Sequence, residues 1–173
     1  MNKLFIPDMY KESIYKINYN KLKSMNIKCL MFDLDNTLAA YTVDKPDNKL
    51  KELIVMLEED FKVVIISNGT KDRVRPFKEG LNIDSAFLSK KPLKTKYKKI
   101  LQKNKILPTE AACIGDQILT DVLGANRMGC ISILINGVGT FEPVNTRFNR
   151  YWEAKILKKY NKKGVLIKGE YYD

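Results

Sequence analysis

The chain has 173 residues and a mass of 20.0 kDa, and its 45% hydrophobic content suits one domain with a real core and excludes a disordered chain. It contains no histidine, which excludes Ser-His-Asp and Cys-His catalysis, histidine-ligated metals and phosphohistidine chemistry, and leaves acid and base work to carboxylates or lysine. The net charge of +11 collects at the ends, with +4 over residues 1–28 (six basic, two acidic), +5 over 147–173 (eight basic, three acidic) and +2 between.

Near the start, Tyr10, Ile14, Ile17 and Met25 trace a helical stripe with Lys11, Lys16, Lys21 and Lys23 elsewhere. The stripe predicts a helix packed on a sheet edge, with a helix lying in a membrane interface as the alternative. No signal-peptide stretch opens the chain, and its longest apolar runs fall far short of the roughly 20 residues of a membrane span, so a cytoplasmic protein is expected. Short β-rich runs at 27–32, 62–67, 84–88, 111–115 and 130–135 read as five strands. Helix-like stretches lie between them at roughly 46–59, 71–80, 93–104 and 117–128, with Pro46, Pro92 and Pro108 near the entries. This alternation predicts an α/β fold, a three-layer Rossmann-like sandwich with a mostly parallel five-stranded sheet and ligands bound beyond the carboxyl ends of its strands.

After the last strand a loop over 136–140, a helix over 150–160 and a short strand at Val165-Leu166-Ile167 are expected. The predicted organisation is a single domain over 1–173, made of an N-terminal helical segment (1–26), a catalytic core (27–135) and a basic C-terminal extension (136–173). Cys29, Cys113 and Cys130 sit inside apolar runs without Cys-x-x-Cys spacing and read as buried reduced thiols. From Lys90 to Lys105 eight lysines occur with no acid, a field that attracts phosphates, anionic lipid or nucleic acid and that a solvated helix face explains equally well.

Four strand ends carry the groups that phosphoryl chemistry needs. Asp33-x-Asp35-x-Thr37 follows the first core strand, where two acids converging from a loop suit Mg2+. Ser67-Asn68-Gly69 follows the second, with a hydroxyl and loop amides to grip phosphate oxygens. Lys91-Pro92 after the third offers a cation, with Lys90 competing for the role, and Gly115-Asp116 after the fourth is joined by Asp121 five residues beyond Asp116. Each group alone is a plausible turn or helix cap, but all four in this order place a shared phosphate site on one edge of one sheet.

These motifs resemble those of the haloacid dehalogenase (HAD) superfamily, over nearly all of residues 29–135. More narrowly, Asp33-Leu34-Asp35-Asn36-Thr37-Leu38, Gly115-Asp116-Gln117, Thr120 to Arg127 and Thr146-Arg147-Phe148-Asn149-Arg150 look like the capless subfamily IIIA phosphatases of YqeG type, a group similar to mitochondrial phosphatidylglycerophosphate phosphatases. The resemblance implies that Asp33 is the nucleophile and Asp35 the acid that protonates the leaving oxygen and then activates water. It further implies that Ser67, Asn68 and Lys91 bind the phosphoryl group. Mg2+ would be held by Asp33, the Asp35 backbone carbonyl and Asp116, with Asp121 a ligand or a supporting partner.

Superfamily members usually insert a cap, and the 30 residues from Thr37 to Ser67 and 24 from Ser67 to Lys91 leave no room for one. An open site suits a phosphate on a large molecule or a membrane surface. Phosphatidylglycerophosphate at an anionic bilayer is the leading expected substrate, with a phosphoprotein or a nucleic-acid end phosphate as alternatives. A phospho-acceptor module without turnover is the other class of reading, and Asp35 argues against it because it supplies the acid and base that release the phosphate. Arg147 and Arg150 would clamp a second phosphate if they line the site, or be structural if they pair with Glu153 or acids of the sheet.

Overall fold

The computed structural model describes residues 3–139 and 144–173, without the side chains of residues 144–148. Six strands, β1 (Met9–Lys11), β2 (Cys29–Phe32), β3 (Lys62–Ile66), β4 (Asp84–Ala86), β5 (Ala111–Gly115) and β6 (Ile131–Ile135), form one sheet in the order β1-β6-β5-β2-β3-β4. Every neighbouring pair is parallel. The helices are α1 (Tyr19–Ser24), α2 (Asn48–Glu58), α3 (Lys71–Leu81), α4 (Lys94–Asn104), α5 (Leu123–Met128) and α6 (Val144–Asn161).

Period-two alternation along each strand sends successive side chains to opposite layers. Leu30 and Phe32 of β2, with Val63 and Ile65 of β3, meet Leu50, Ile54 and Leu57 of α2 and Val74 and Phe77 of α3. Cys29, Met31, Val64 and Ile66 face the other way onto Tyr97, Ile100 and Leu101 of α4 and Ala125 of α5. The helices start where the sequence supplies caps: the Asp47 carboxylate accepts the Leu50 N–H at 2.8 Å and the Thr70 hydroxyl accepts that of Arg73 at 3.4 Å. Left-handed Asn82 and Lys105 end α3 and α4. All three cysteines are free and buried, as their apolar surroundings predict.

Among the described residues the sheet has six strands, not five, because the N-terminal segment is not the expected helix. Met9–Lys11 pairs with β6, with Met9 opposite Ile133 and Tyr10 opposite Leu134. Asp8 anchors the entry to this strand by accepting the Ser132 N–H at 2.8 Å and the Ser132 hydroxyl at 2.9 Å. A 3-10 turn (Ile14–Lys16) and the short α1 follow, burying Ile14, Ile17 and Leu22 in the core. Three residues are too few for strand alternation to register, so pairing with β6 decides their conformation.

The tail also differs from expectation. Val165 to Ile167 form no strand; instead Tyr172 bridges Tyr10 in antiparallel fashion, covering the outer edge of β1. The stretch expected as one helix over 117–128 begins as a π-helical turn (Ile118–Val122) and only then becomes α5. No described helix is long and apolar enough to cross a membrane.

Candidate active site

The carboxyl ends of β2, β3 and β5 and the loop after β4 converge on one cavity of about 270 Å³ whose walls include Asp33, Asp35, Ser67, Asn68 and Lys91. Asp33 continues the ladder of β2 by donating its N–H to the Ile114 carbonyl at 2.8 Å. The chain then turns tightly, with Asn36 left-handed at φ 61° and the Leu34 carbonyl accepting the N–H groups of Leu38 and Ala39. The turn separates the two acids. Asp33 is buried at the sheet edge, while the Asp35 carboxylate accepts from Arg73 Nε at 2.8 Å.

Lys91 is buried and joins two strand ends, with Nζ 2.5 Å from Asp33 Oδ1 and 2.6 Å from Asp121 Oδ1. Lys90 is exposed, so it is Lys91 that the fold brings to these acids. Asn68 holds Lys91 by its backbone: the Asn68 side-chain oxygen accepts the Lys91 N–H at 2.7 Å, and its amide donates to the Lys91 carbonyl at 3.4 Å. Ser67 Oγ accepts the Gly69 N–H at 2.9 Å, which leaves the hydroxyl proton free to donate into the cavity.

The π-helical turn after β5 carries Asp121 back toward Asp116, and the Gln117 N–H fixes it by donating to Oδ2 at 3.1 Å. This return needs Gly115, because a Cβ there would lie 2.2 Å from Asp121 Cγ. Thr37 Oγ1 donates to Asp116 Oδ1 at 3.4 Å. Arg150 of α6 pairs with Asp116 Oδ2, donates to the Asp116 carbonyl at 3.1 Å and lies 3.1 Å from Glu153 Oε2. Of the two expectations for Arg150, the structure thus gives pairing with acids; the side chain of Arg147 lies outside the described residues.

Asp33, Asp116 and Asp121, all buried, each offer an oxygen, and these oxygens lie within 4.8 Å of one another. Such crowding disfavours three simultaneous negative charges. Burial above all, then Asp121 and Asp116, push the Asp33 carboxyl well above the usual carboxylate range against the pull of Lys91. Burial also pushes Asp116 up to about 7, with Arg150 opposing it. For Lys91 burial works against the charge, but Asp121 and Asp33 outweigh it and hold the ammonium protonated. The oxygens present suit a hard divalent cation, whose charge would offset this crowding.

Tyr41, Thr70 and Arg73 line the cavity outside every motif quoted above, and Gln117, Thr120 and Asn149, which lie inside the subgroup motifs without an assigned role, join them in its wall. Arg73 ties α3 to the loop after β2, donating from Nη1 to the Val43 carbonyl at 2.5 Å and from Nη2 to the Ala40 carbonyl at 3.4 Å, besides its bond to Asp35. Its sequence signal is a cation in the first turn of a helix, where the helix dipole disfavours one unless an acid faces it.

A family model described as mitochondrial PGP phosphatase matches residues 1–139. The Bacillus subtilis (strain 168) protein named probable phosphatase YqeG is 38% identical over 168 residues, 95% of this chain and 96% of that one. Among solved structures, the cobalt-bound deoxy-D-mannose-octulosonate 8-phosphate phosphatase YrbI of Haemophilus influenzae is similar in fold, with TM-score 0.53, 17% identity and coverage of 80% of this chain and 94% of that chain. The magnesium complex of the HAD family enzyme bt-2542 from Bacteroides thetaiotaomicron is also similar in fold, with TM-score 0.53, 15% identity and coverage of 71% and 98%.

Proposed function

We propose that this chain, which belongs to the mitochondrial PGP phosphatase family as a YqeG-type, subfamily IIIA member of the haloacid dehalogenase superfamily, hydrolyses phosphate monoesters through a phosphorylated Asp33. The observation that carries the reading is the buried Asp33–Lys91–Asp121 bridge beside Asp116 at the carboxyl edge of a parallel sheet. Asp33, Asp116 and the Asp35 backbone carbonyl are the groups to hold Mg2+, which when bound offsets charge on the phosphoryl oxygens and on the acids themselves.

An Asp33 carboxylate oxygen attacks phosphorus, the bond to the leaving oxygen breaks, and Asp35 delivers a proton to that oxygen. Asp35, now a carboxylate, takes a proton from water, whose oxygen attacks phosphorus and frees Asp33 and inorganic phosphate. Ser67 donates its hydroxyl proton to a phosphoryl oxygen, while Lys91 balances charge on Asp33 and the transferring group. Asn68 serves by fixing the Lys91 backbone, and its own main-chain N–H is left for the phosphate. Both Asp121 oxygens are engaged, by Lys91 and the Gln117 N–H, so Asp121 acts by positioning Lys91 and shaping the cation site.

Between β2 and β3 the chain adds only a loop and α2, and between β3 and β4 only α3, so no domain is inserted at either place. That openness favours a phosphate borne on a bulky or membrane-bound molecule, phosphatidylglycerophosphate first. The test is phosphate release with Mg2+ from para-nitrophenyl phosphate and from phosphatidylglycerophosphate vesicles. Turnover by the wild type, reduced at least a thousandfold in Asp33→Asn with its fold intact, is the expected result. Equal turnover in that variant would remove Asp33 as nucleophile, and failure on the lipid alone would remove the lipid substrate.

A further inference from the structure

The carboxyl edge of the sheet, where the cavity opens, also forms a rim of exposed apolar side chains from three separate parts of the chain. Tyr41 and Val43 stand on the loop after β2, Leu88 and Leu93 on the segment that carries Lys91, and Tyr151 and Trp152 on α6. Tyr41 and Asn149 line the same cavity, and Trp152 lies three residues beyond Asn149 on α6, so one helical turn separates it from the mouth. Tyr151 is 57% exposed and Trp152 43%, their rings 5.8 Å apart with Lys155 Nζ 4.4 and 4.8 Å from their centroids.

Two of these elements also carry exposed lysines. Lys90, Lys94, Lys98 and Lys99 stand exposed on the Lys91 segment and α4, and from Lys155 onward the chain carries six lysines before its next acid, Glu170. Aromatic rings flanked by lysines, backed by exposed aliphatic tips, match the lipid–water interface, where rings enter the headgroup layer and ammonium groups meet lipid phosphates. Nucleic acid would use the lysines and rings but offers nothing to Val43, Leu88 and Leu93.

We propose that this rim is a docking surface that seats the open site face-down on an anionic bilayer, with Tyr151 and Trp152 entering the headgroup layer. The inference deepens the lipid-phosphatase reading and rests on it for the choice of bilayer as partner, but binding and turnover are separable.

Trp152 is the single tryptophan of the chain, so the protein carries its own probe. Mixed with phosphatidylglycerol vesicles at low salt, the wild type is expected to shift its emission to the blue and to be quenched by lipids brominated on their acyl chains, with no response to phosphatidylcholine vesicles. Tyr151→Ser/Trp152→Ser is expected to lose about tenfold in vesicle co-sedimentation while keeping its circular dichroism and its para-nitrophenyl phosphate turnover. Co-sedimentation with unchanged Trp152 emission would show docking through another face and overturn the proposal. So would absence of co-sedimentation, or an emission change with a single-stranded oligonucleotide but not with vesicles. Turnover of phosphatidylglycerophosphate in detergent micelles reads the substrate independently: micelle turnover without vesicle binding overturns the docking alone, and vesicle binding with no micelle turnover supports the docking while removing that substrate.

Discussion

Asp35 and Arg73 illustrate how one side chain governs another's chemistry. The Arg73 guanidinium grips the Asp35 carboxylate and two carbonyls of the loop after β2, so its loss frees both the acid and the loop beside it. Arg73→Ala is expected to slow an alkyl phosphate about tenfold more than para-nitrophenyl phosphate, whose leaving group departs without protonation. An equal loss on both substrates in steady-state kinetics would mean that Arg73 does not act through Asp35. Gly115 makes a different demand. A methyl group there displaces Asp121 and with it Lys91, so Gly115→Ala should cost about 1–3 kcal/mol in denaturant unfolding and most of the turnover. A variant with wild-type stability and rate would show that the turn relaxes around the added carbon.

At the scale of elements, the two faces of β2 explain the cysteines. Cys29 sits on the α4 and α5 side of the strand, where burial pushes its thiol up to about 12, with Cys130 adding to the rise and Lys62 opposing it. Cys113 on β5 is also raised, by its contact with Cys130 and by burial. The thiolate is the reactive form, and all three thiols are buried away from reagent. Ellman's reagent should therefore titrate none of the three thiols in the folded protein at pH 8 and all three in guanidinium; rapid reaction of the native protein would mean that this layer opens. The π-helical turn after β5 is another element with a task, since it brings Asp121 back over Gly115, where a helix beginning directly at the strand end was expected from the apolar pattern.

For the molecule as a whole, the proposed cation site among three buried acids would couple folding to cation binding. A cation held only by the folded chain stabilises it by about 2.7 kcal/mol at a hundredfold excess over its Kd, which for a chain of this size raises Tm by roughly 5–10 °C. A calorimetric scan with and without Mg2+ should show this rise, and Asp116→Asn should lose most of it; chelation by EDTA should abolish turnover and added Mg2+ restore it. An unchanged Tm at saturating Mg2+ would count against the cation site. Much of this architecture is legible in the chain itself. The four polar strand ends, the order of strands and helices, the buried thiols and the absence of room for a cap follow from alternation, turn residues and spacing, which are local and travel with the sequence. The sixth strand, the Tyr10–Tyr172 bridge, the choice of Lys91 over Lys90, the engagement of Asn68 with the Lys91 backbone, the Arg73–Asp35 pair and the attachment of Arg150 to Asp116 do not. Each joins residues 20 or more positions apart, where no periodicity records a partner, and only the folded sheet brings them within hydrogen-bond reach.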